Sequence, residues 1–200
     1  AIGAYGNDGN DGNSGHVRVY KYYENNGWVK QGGDIDGEAA GDYSGASVSL
    51  SSDGTIVAIG AYGNDGNDGN SGHVRVYKYY ENNGWVKQGG DIDGEAAGDY
   101  SGASVSLSSD GTIVAIGAYG NDGNSTDSGH VRVYKYENNE WVKLGDNIDG
   151  EAADDMSGFS VSLSSDGTIV AIGAYLNDGN STDSGHVRVY DIKKTNIYSD

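Results

Sequence analysis

Acidic side chains make the densest cluster of candidate chemistry in this 200-residue sequence. In Asp34-Ile35-Asp36-Gly37-Glu38, with Asp42 beyond, carboxylates fall at alternate positions. That spacing lets one turn wrap a hard cation such as calcium. The set recurs as Asp91, Asp93, Glu95 and Asp99, and more loosely as Asn147, Asp149, Glu151 and Asp155. It is not an EF-hand loop, because glycine stands fourth and the distal bidentate glutamate is missing. Two readings stand: a calcium turn, or solvated turn carboxylates that need no ligand. The loop Gly6-Asn7-Asp8-Gly9-Asn10-Asp11-Gly12-Asn13 is better explained by turn chemistry, since Asn, Asp and Gly tolerate left-handed backbone.

The remaining reactive types are sparse. All four histidines occupy one repeated position, His16, His73, His130 and His186, beside valine and two residues from arginine. They read as structural residues at a unit boundary. Trp28, Trp85 and Trp141 mark a strand start and are expected to pack between units or over a turn, with sugar stacking as the functional alternative. Asn124-Ser125-Thr126 and Asn180-Ser181-Thr182 match the N-glycosylation acceptor pattern at Asn124 and Asn180, for a secreted eukaryotic source. No HExxH, GxSxG, phosphate loop or nucleophile–base pair is present. An active site needs unlike groups converging on one point, whereas near-identical units offer copies of one environment. A non-enzymatic protein is expected.

A repeat must position these residues. Ala1-Ile2-Gly3-Ala4-Tyr5 returns at Ala58, Ala115 and Ala171, dividing a single repeat domain, 1–200, into units 1–57, 58–114, 115–170 and a partial 171–200. The first two are identical letter for letter. Such a period marks a propeller, solenoid or array. Ala1 enters in mid-strand, since its equivalent Ala58 follows Thr55-Ile56-Val57. The sequence therefore reads as a mature product or a window on a longer chain or assembly.

Each unit carries four strand signals. Ser47-Val48-Ser49-Leu50-Ser51 alternates strictly, and Thr55 to Tyr62 is apolar on both faces. Asp53-Gly54 between them predicts a two-residue hairpin turn with positive φ at both places. His73 to Tyr80 alternates valine with longer side chains, and Asn82-Asn83-Gly84 turns the chain into Trp85-Val86-Lys87-Gln88. Residues from Gly89 to about Ser101 read as an acidic crossover. A four-stranded meander with a longer link describes a propeller blade. The expected fold is an all-β propeller of four-stranded antiparallel blades with a 56–57-residue repeat, closed by a further strand at 195–199.

The order Gly41-Asp42-Tyr43-Ser44-Gly45-Ala46-Ser47-Val48, Asp53-Gly54, Val57-Ala58-Ile59-Gly60-Ala61 and Ser71-Gly72-His73-Val74-Arg75-Val76-Tyr77 resembles an FG-GAP repeat. These blades are known from integrin α-subunits and, in variant form, from secreted microbial proteins. Serine replaces the family's Phe at Ser44, Ser101 and Ser157, and tyrosine replaces its Pro at Tyr5, Tyr62, Tyr119 and Tyr175. The family's calcium loop is reduced to Ser51-Ser52-Asp53-Gly54, so calcium at that place does not carry over.

Net charge is −18, and the acidity recurs with the unit. It repels phosphate backbones and anionic lipid, so neither nucleic acid nor membrane is an expected partner. No run of about 18 apolar residues suits a membrane span. With no cysteine, disulfides and thiolate chemistry are excluded. The expectation is an extracellular or cell-surface structural and adhesive protein. It self-associates into an oligomer or filament by strand complementation, with Thr195 to Tyr198 filling a gap. The alternative is a soluble propeller binding a glycan or protein, with calcium as the candidate cofactor.

Overall fold

The structure, a computed structural model, describes residues 1–192; the strand expected at 195–199 lies outside them. Every described element is a β-strand, and they group as successive antiparallel sheets. The first sheet holds β1 (Ile2–Ala4), β2 (His16–Arg18) and β5 (Ile35–Asp36), and β3 (Tyr20–Tyr23) with β4 (Gly27–Lys30) forms a separate two-stranded hairpin beside it. The second holds β6 (Ser47–Leu50), β7 (Ile56–Ala61), β8 (His73–Tyr80), β9 (Gly84–Lys87) and β10 (Ile92–Asp93). The third repeats it as β11 (Ser104–Leu107), β12 (Ile113–Ala118), β13 (His130–Glu137), β14 (Glu140–Lys143) and β15 (Ile148–Asp149). The fourth is β16 (Ser157–Leu163), β17 (Ile169–Ala174) and β18 (His186–Asp191).

Hydrophobic pattern accounts for the order within a sheet. The β7 strand is buried at all six positions because it lies between β6 and β8 and is covered on both faces. Along β8, Tyr77–Tyr80 pair with β9, while Val74 and His73 pair with Ile92 and Asp93 of β10. The fourth strand is thus split, and part of the expected crossover belongs to the sheet. The Asp53-Gly54 turn also differs from expectation. Only Gly54 is left-handed, at φ 72°. Asp53 Oδ1 instead accepts from Ser51 Oγ at 2.7 Å and from Thr55 N at 2.9 Å, closing a five-residue loop between β6 and β7.

The sheets stack face to face. Valines of the third strand pack on the second strand of the following sheet: Val17 and Val19 on Val57 and Ile59, Val74 and Val76 on Val114 and Ile116, Val131 and Val133 on Val170 and Ile172. Each such side chain stabilises the stack by about 1.5–3 kcal/mol. The same position reads 0 % exposed at Val17, Val74 and Val131 but 69 % at Val187, where no described sheet follows. Ile2 is likewise 61 % exposed. Closure into a ring is therefore not formed among the described residues, and the arrangement is a propeller-like stack with two uncovered faces.

Backbone interlocks register the stack. A Cβ on Gly60 would lie 1.9 Å from the carbonyl oxygen of Gly102, and one on Gly117 1.9 Å from that of Gly158. Ser47 Oγ and Ser104 Oγ donate to those same carbonyls at 2.7 Å. Glycine is required there because the next sheet's backbone occupies the side-chain space.

One row of rings crosses all four sheets. Within sheets, Tyr43 stacks on Tyr62 and Tyr100 on Tyr119, both with centroids 5.3 Å apart. Between sheets, tilted contacts join Tyr5 to Tyr43, Tyr62 to Tyr100 and Tyr119 to Phe159. In the fourth sheet Met156 replaces the tyrosine of this row, and Phe159 replaces the alanine of Ala46 and Ala103. The phenyl ring keeps the row unbroken, 4.4 Å from Tyr175.

Candidate functional site: acidic pockets between successive units

The turn Gly37–Ser44 carries the chain from the first sheet to the second. Its backbone is tied to the preceding loop, with Tyr43 N donating to Asn13 O at 3.1 Å and Ser44 N to Ser14 O at 3.0 Å. Asp42 organises the turn from inside. Its Oδ2 accepts from Glu38 N and Ala39 N at 3.2 and 2.9 Å, and its Oδ1 from Asn64 Nδ2 at 3.1 Å. Asp99 is held the same way by Glu95 N, Ala96 N and Asn121 Nδ2, and Asp155 by Ala152 N and Asn177 Nδ2. These three carboxylates are buried clamps.

The other carboxylates disperse. Asp34 is taken by Arg18 Nη2 at 2.9 Å and Lys30 Nζ at 2.6 Å, and these contacts hold its carboxyl well below the usual range. Asp91 pairs with Lys87 Nζ at 2.7 Å. The buried Arg75 reaches back from the second sheet, donating to Asp36 O at 3.0 Å and pairing with Glu38 Oε1 at 3.1 Å. Arg132 does the same toward Asp93 O and Glu95, and Arg188 pairs with Glu151. Asp34 and Asp36 cluster with His16, whereas Glu38 clusters with His73 and Asp91 of the next unit. The alternate spacing within one turn thus does not gather one ligand set: Asp34 and Asp36 turn to His16 of their own unit, and Glu38 gathers across a junction.

The histidines, read from the sequence as structural, lie beside carboxylates in the structure. Pairing of β8 with β10 and the return of the crossover bring His73 to the edge of an acidic cavity of about 350 Å³, lined also by Glu38, Asp65, Asp91 and Asp93. In the third sheet His130 Nδ1 lies 3.9 Å from both Glu95 Oε2 and Asp149 Oδ1, and 3.5 Å from the amide of Asn147. Burial pushes both imidazoles below their ordinary pKa, with the neighbouring Arg75 or Arg132 adding to it and the carboxylates opposing. The antiparallel register of His73 against Asp93 was the available signal, but β10 is too short to announce itself.

Trp85 and Trp141 pack between units. Their Nε1 atoms donate to Gln31 O and Gln88 O of the preceding unit at 2.8 and 2.9 Å. Trp28 is 70 % exposed beside Tyr22, over an apolar depression of about 400 Å³ shared with Ile2 and Tyr20. The two sequons also separate. Asn124 Nδ2 donates to Gly150 O at 2.8 Å, as Asn10 and Asn67 do to Gly37 O and Gly94 O. Asn180 is exposed. Expressed through a eukaryotic secretory route, Asn180 is expected to carry glycan at several-fold higher occupancy than Asn124, read by peptide mass mapping. Equal occupancy would show that the Asn124 staple opens freely.

The FG-GAP repeat family matches this sequence over residues 35–77, 92–134 and 148–190. No curated protein matches it. Among solved structures, a Bacteroides uniformis protein provisionally assigned as a 6-phosphogluconolactonase superposes with a TM-score of 0.58 at 13 % identity, covering 88 % of this chain and 47 % of that one. The chain spans about half the length of that protein, and the likeness is one of fold alone. Each family match begins in the split strand, passes through the acidic crossover and ends in the third strand of the next sheet. With three such matches in tandem over most of its length, the chain belongs to the FG-GAP repeat family.

Proposed function

We propose that the chain is a non-enzymatic structural and adhesive repeat protein of the cell surface or extracellular space, growing by face-to-face addition of units. The uncovered faces carry this reading. Val187 and Val189 are 69 % and 67 % exposed, although the equivalent valines are buried at each internal junction. Their natural occupant is another sheet of the same kind, and β1 offers an edge for a donated strand. Head-to-tail contacts of this type give rings when the rotation closes and filaments when it does not. Charge of −18 fits a partner that is neither nucleic acid nor anionic membrane.

Sedimentation velocity over a concentration series, paired with negative-stain microscopy, tests the reading. Concentration-dependent oligomers, rings or fibres are expected, and Val187→Glu with Val189→Glu is expected to return monomer. A wild-type chain that stays monomeric at high micromolar concentration overturns it. The exposed Trp28 and its apolar depression favour a second reading, a closed module that stacks neutral sugars or a protein loop there, with calcium as an aid. Glycan binding that is lost in Trp28→Ala, measured with and without calcium, distinguishes the two.

A further inference from the structure

We propose that Glu38, His73 and Asp91 form a binding site for a divalent transition-metal ion of the zinc class, clasping the first unit to the second. One ring nitrogen of His73 and one carboxylate oxygen from each acid lie within 4.8 Å of one another. Three chain segments supply them: the crossover, the start of β8 and the turn before β10. His73 is only 2 % exposed, and its Nε2 has no hydrogen-bond partner. In the equivalent junction His130 turns Nδ1 toward Glu95 and Asp149, so the acid-facing nitrogen rather than the unpartnered Nε2 is the one offered to an ion. The ring meets an acidic cavity of about 350 Å³, which gives an ion a way in and concentrates negative potential around it.

The donor set selects the ion. Calcium takes oxygen ligands, whereas an imidazole with two carboxylates suits zinc and its first-row neighbours. Metal–ligand bonds of about 2.0–2.2 Å place tetrahedral ligand atoms about 3.4 Å apart, so the side chains must close in by about 1 Å. Asp91 is free to do so because its partner is solvated, whereas Glu38 must turn away from the buried Arg75. Lys87 is a solvated lysine, and Glu38 is a largely exposed acid. Arg75 keeps its bond to Asp36 O when Glu38 turns away. In the third sheet Asn147 stands where Asp91 does, removing one carboxylate from that junction. The first junction is therefore the strongest copy.

The test is a zinc titration of the untagged chain by calorimetry, with a thermal melt before and after chelation. Saturable zinc binding and a higher Tm with zinc are expected. His73→Asn should lower the stoichiometry by one site. Glu38→Gln, which keeps an oxygen acceptor for Arg75, should weaken that site at least ten-fold. His186→Asn, in the last sheet, should change neither. Binding that is absent in the wild type, or unaltered in both His73→Asn and Glu38→Gln, overturns the proposal. So does calcium binding with the same stoichiometry in the wild type and in His73→Asn.

Discussion

Gly60→Ala is expected to be the most damaging small substitution in the chain, lowering stability by about 4 kcal/mol or more. The added methyl would sit 1.9 Å from the Gly102 carbonyl oxygen. That atom is backbone, registered by Ser47 Oγ, so relief requires the second and third sheets to separate. Loss of contact between Val74, Val76, Val114 and Ile116 then follows. A useful control is Gly173→Ala, the equivalent place in the fourth sheet. There the nearest atom is Ser160 Oγ at 2.4 Å, a hydroxyl that can rotate, and among the described residues no carbonyl from a following sheet intrudes. Its expected effect is about 1 kcal/mol. In thermal melts the two should differ by about 10 °C for a chain of this size. Similar shifts for both would mean that the interlock does not govern stacking.

Asp99→Ala is expected to destabilise by about 3 kcal/mol, since it strands two turn amides and the Asn121 side chain in a place only 2 % exposed. Asp122→Ala removes a comparable acceptor, bonded to Asp127 N at 2.8 Å, but in an exposed loop where water replaces it. About 1 kcal/mol or less is expected there. A cycle of Asp99→Ala with Asn121→Ala should show strong non-additivity, because each single change already leaves the other partner unsatisfied. Urea unfolding of the four proteins decides it; additive effects would show that the clamp acts as independent bonds. The same network bears on calcium. Asp42, Asp99 and Asp155 have their oxygens directed at amides, so a calcium ion at these turns would have to break the clamp that shapes them.

What the sequence revealed, and what it hid, follows from the range of each interaction. Strand β7 announces itself because six consecutive apolar residues need cover on both faces, and β6 because its alternation is strict. The family resemblance rests on the same local order of turns and strands. The split fourth strand escaped because Ile92-Asp93 is a two-residue segment inside an acidic run, with no periodicity to detect. Dispersal of the carboxylates was equally invisible. Arg75 finds Asp36 O across 39 residues, and nothing in the spacing of Asp34, Asp36 and Glu38 says that the last one faces the other way. The carboxylates beside His73 belong to two different units, so no local spacing announces them. The exchange of Tyr100 for Met156 and of Ala103 for Phe159 carries no signal in the sequence, yet the two changes compensate through one ring position.

That row of rings also makes the chain its own optical gauge. Excitation hops readily between tyrosines at centroid separations of 5.3–6.3 Å, and each hop erases some polarisation of the emitted light. The row alternates face-to-face rungs inside a sheet with tilted rungs between sheets. Two sheets slipping apart cut it at a tilted rung, whereas a sheet melting internally cuts it at a stacked one. Phe159, which absorbs at shorter wavelength, is the one non-tyrosine ring of the row, between Tyr119 and Tyr175. Polarised tyrosine emission therefore reports, without any label, whether the stack is parting between units or dissolving within them.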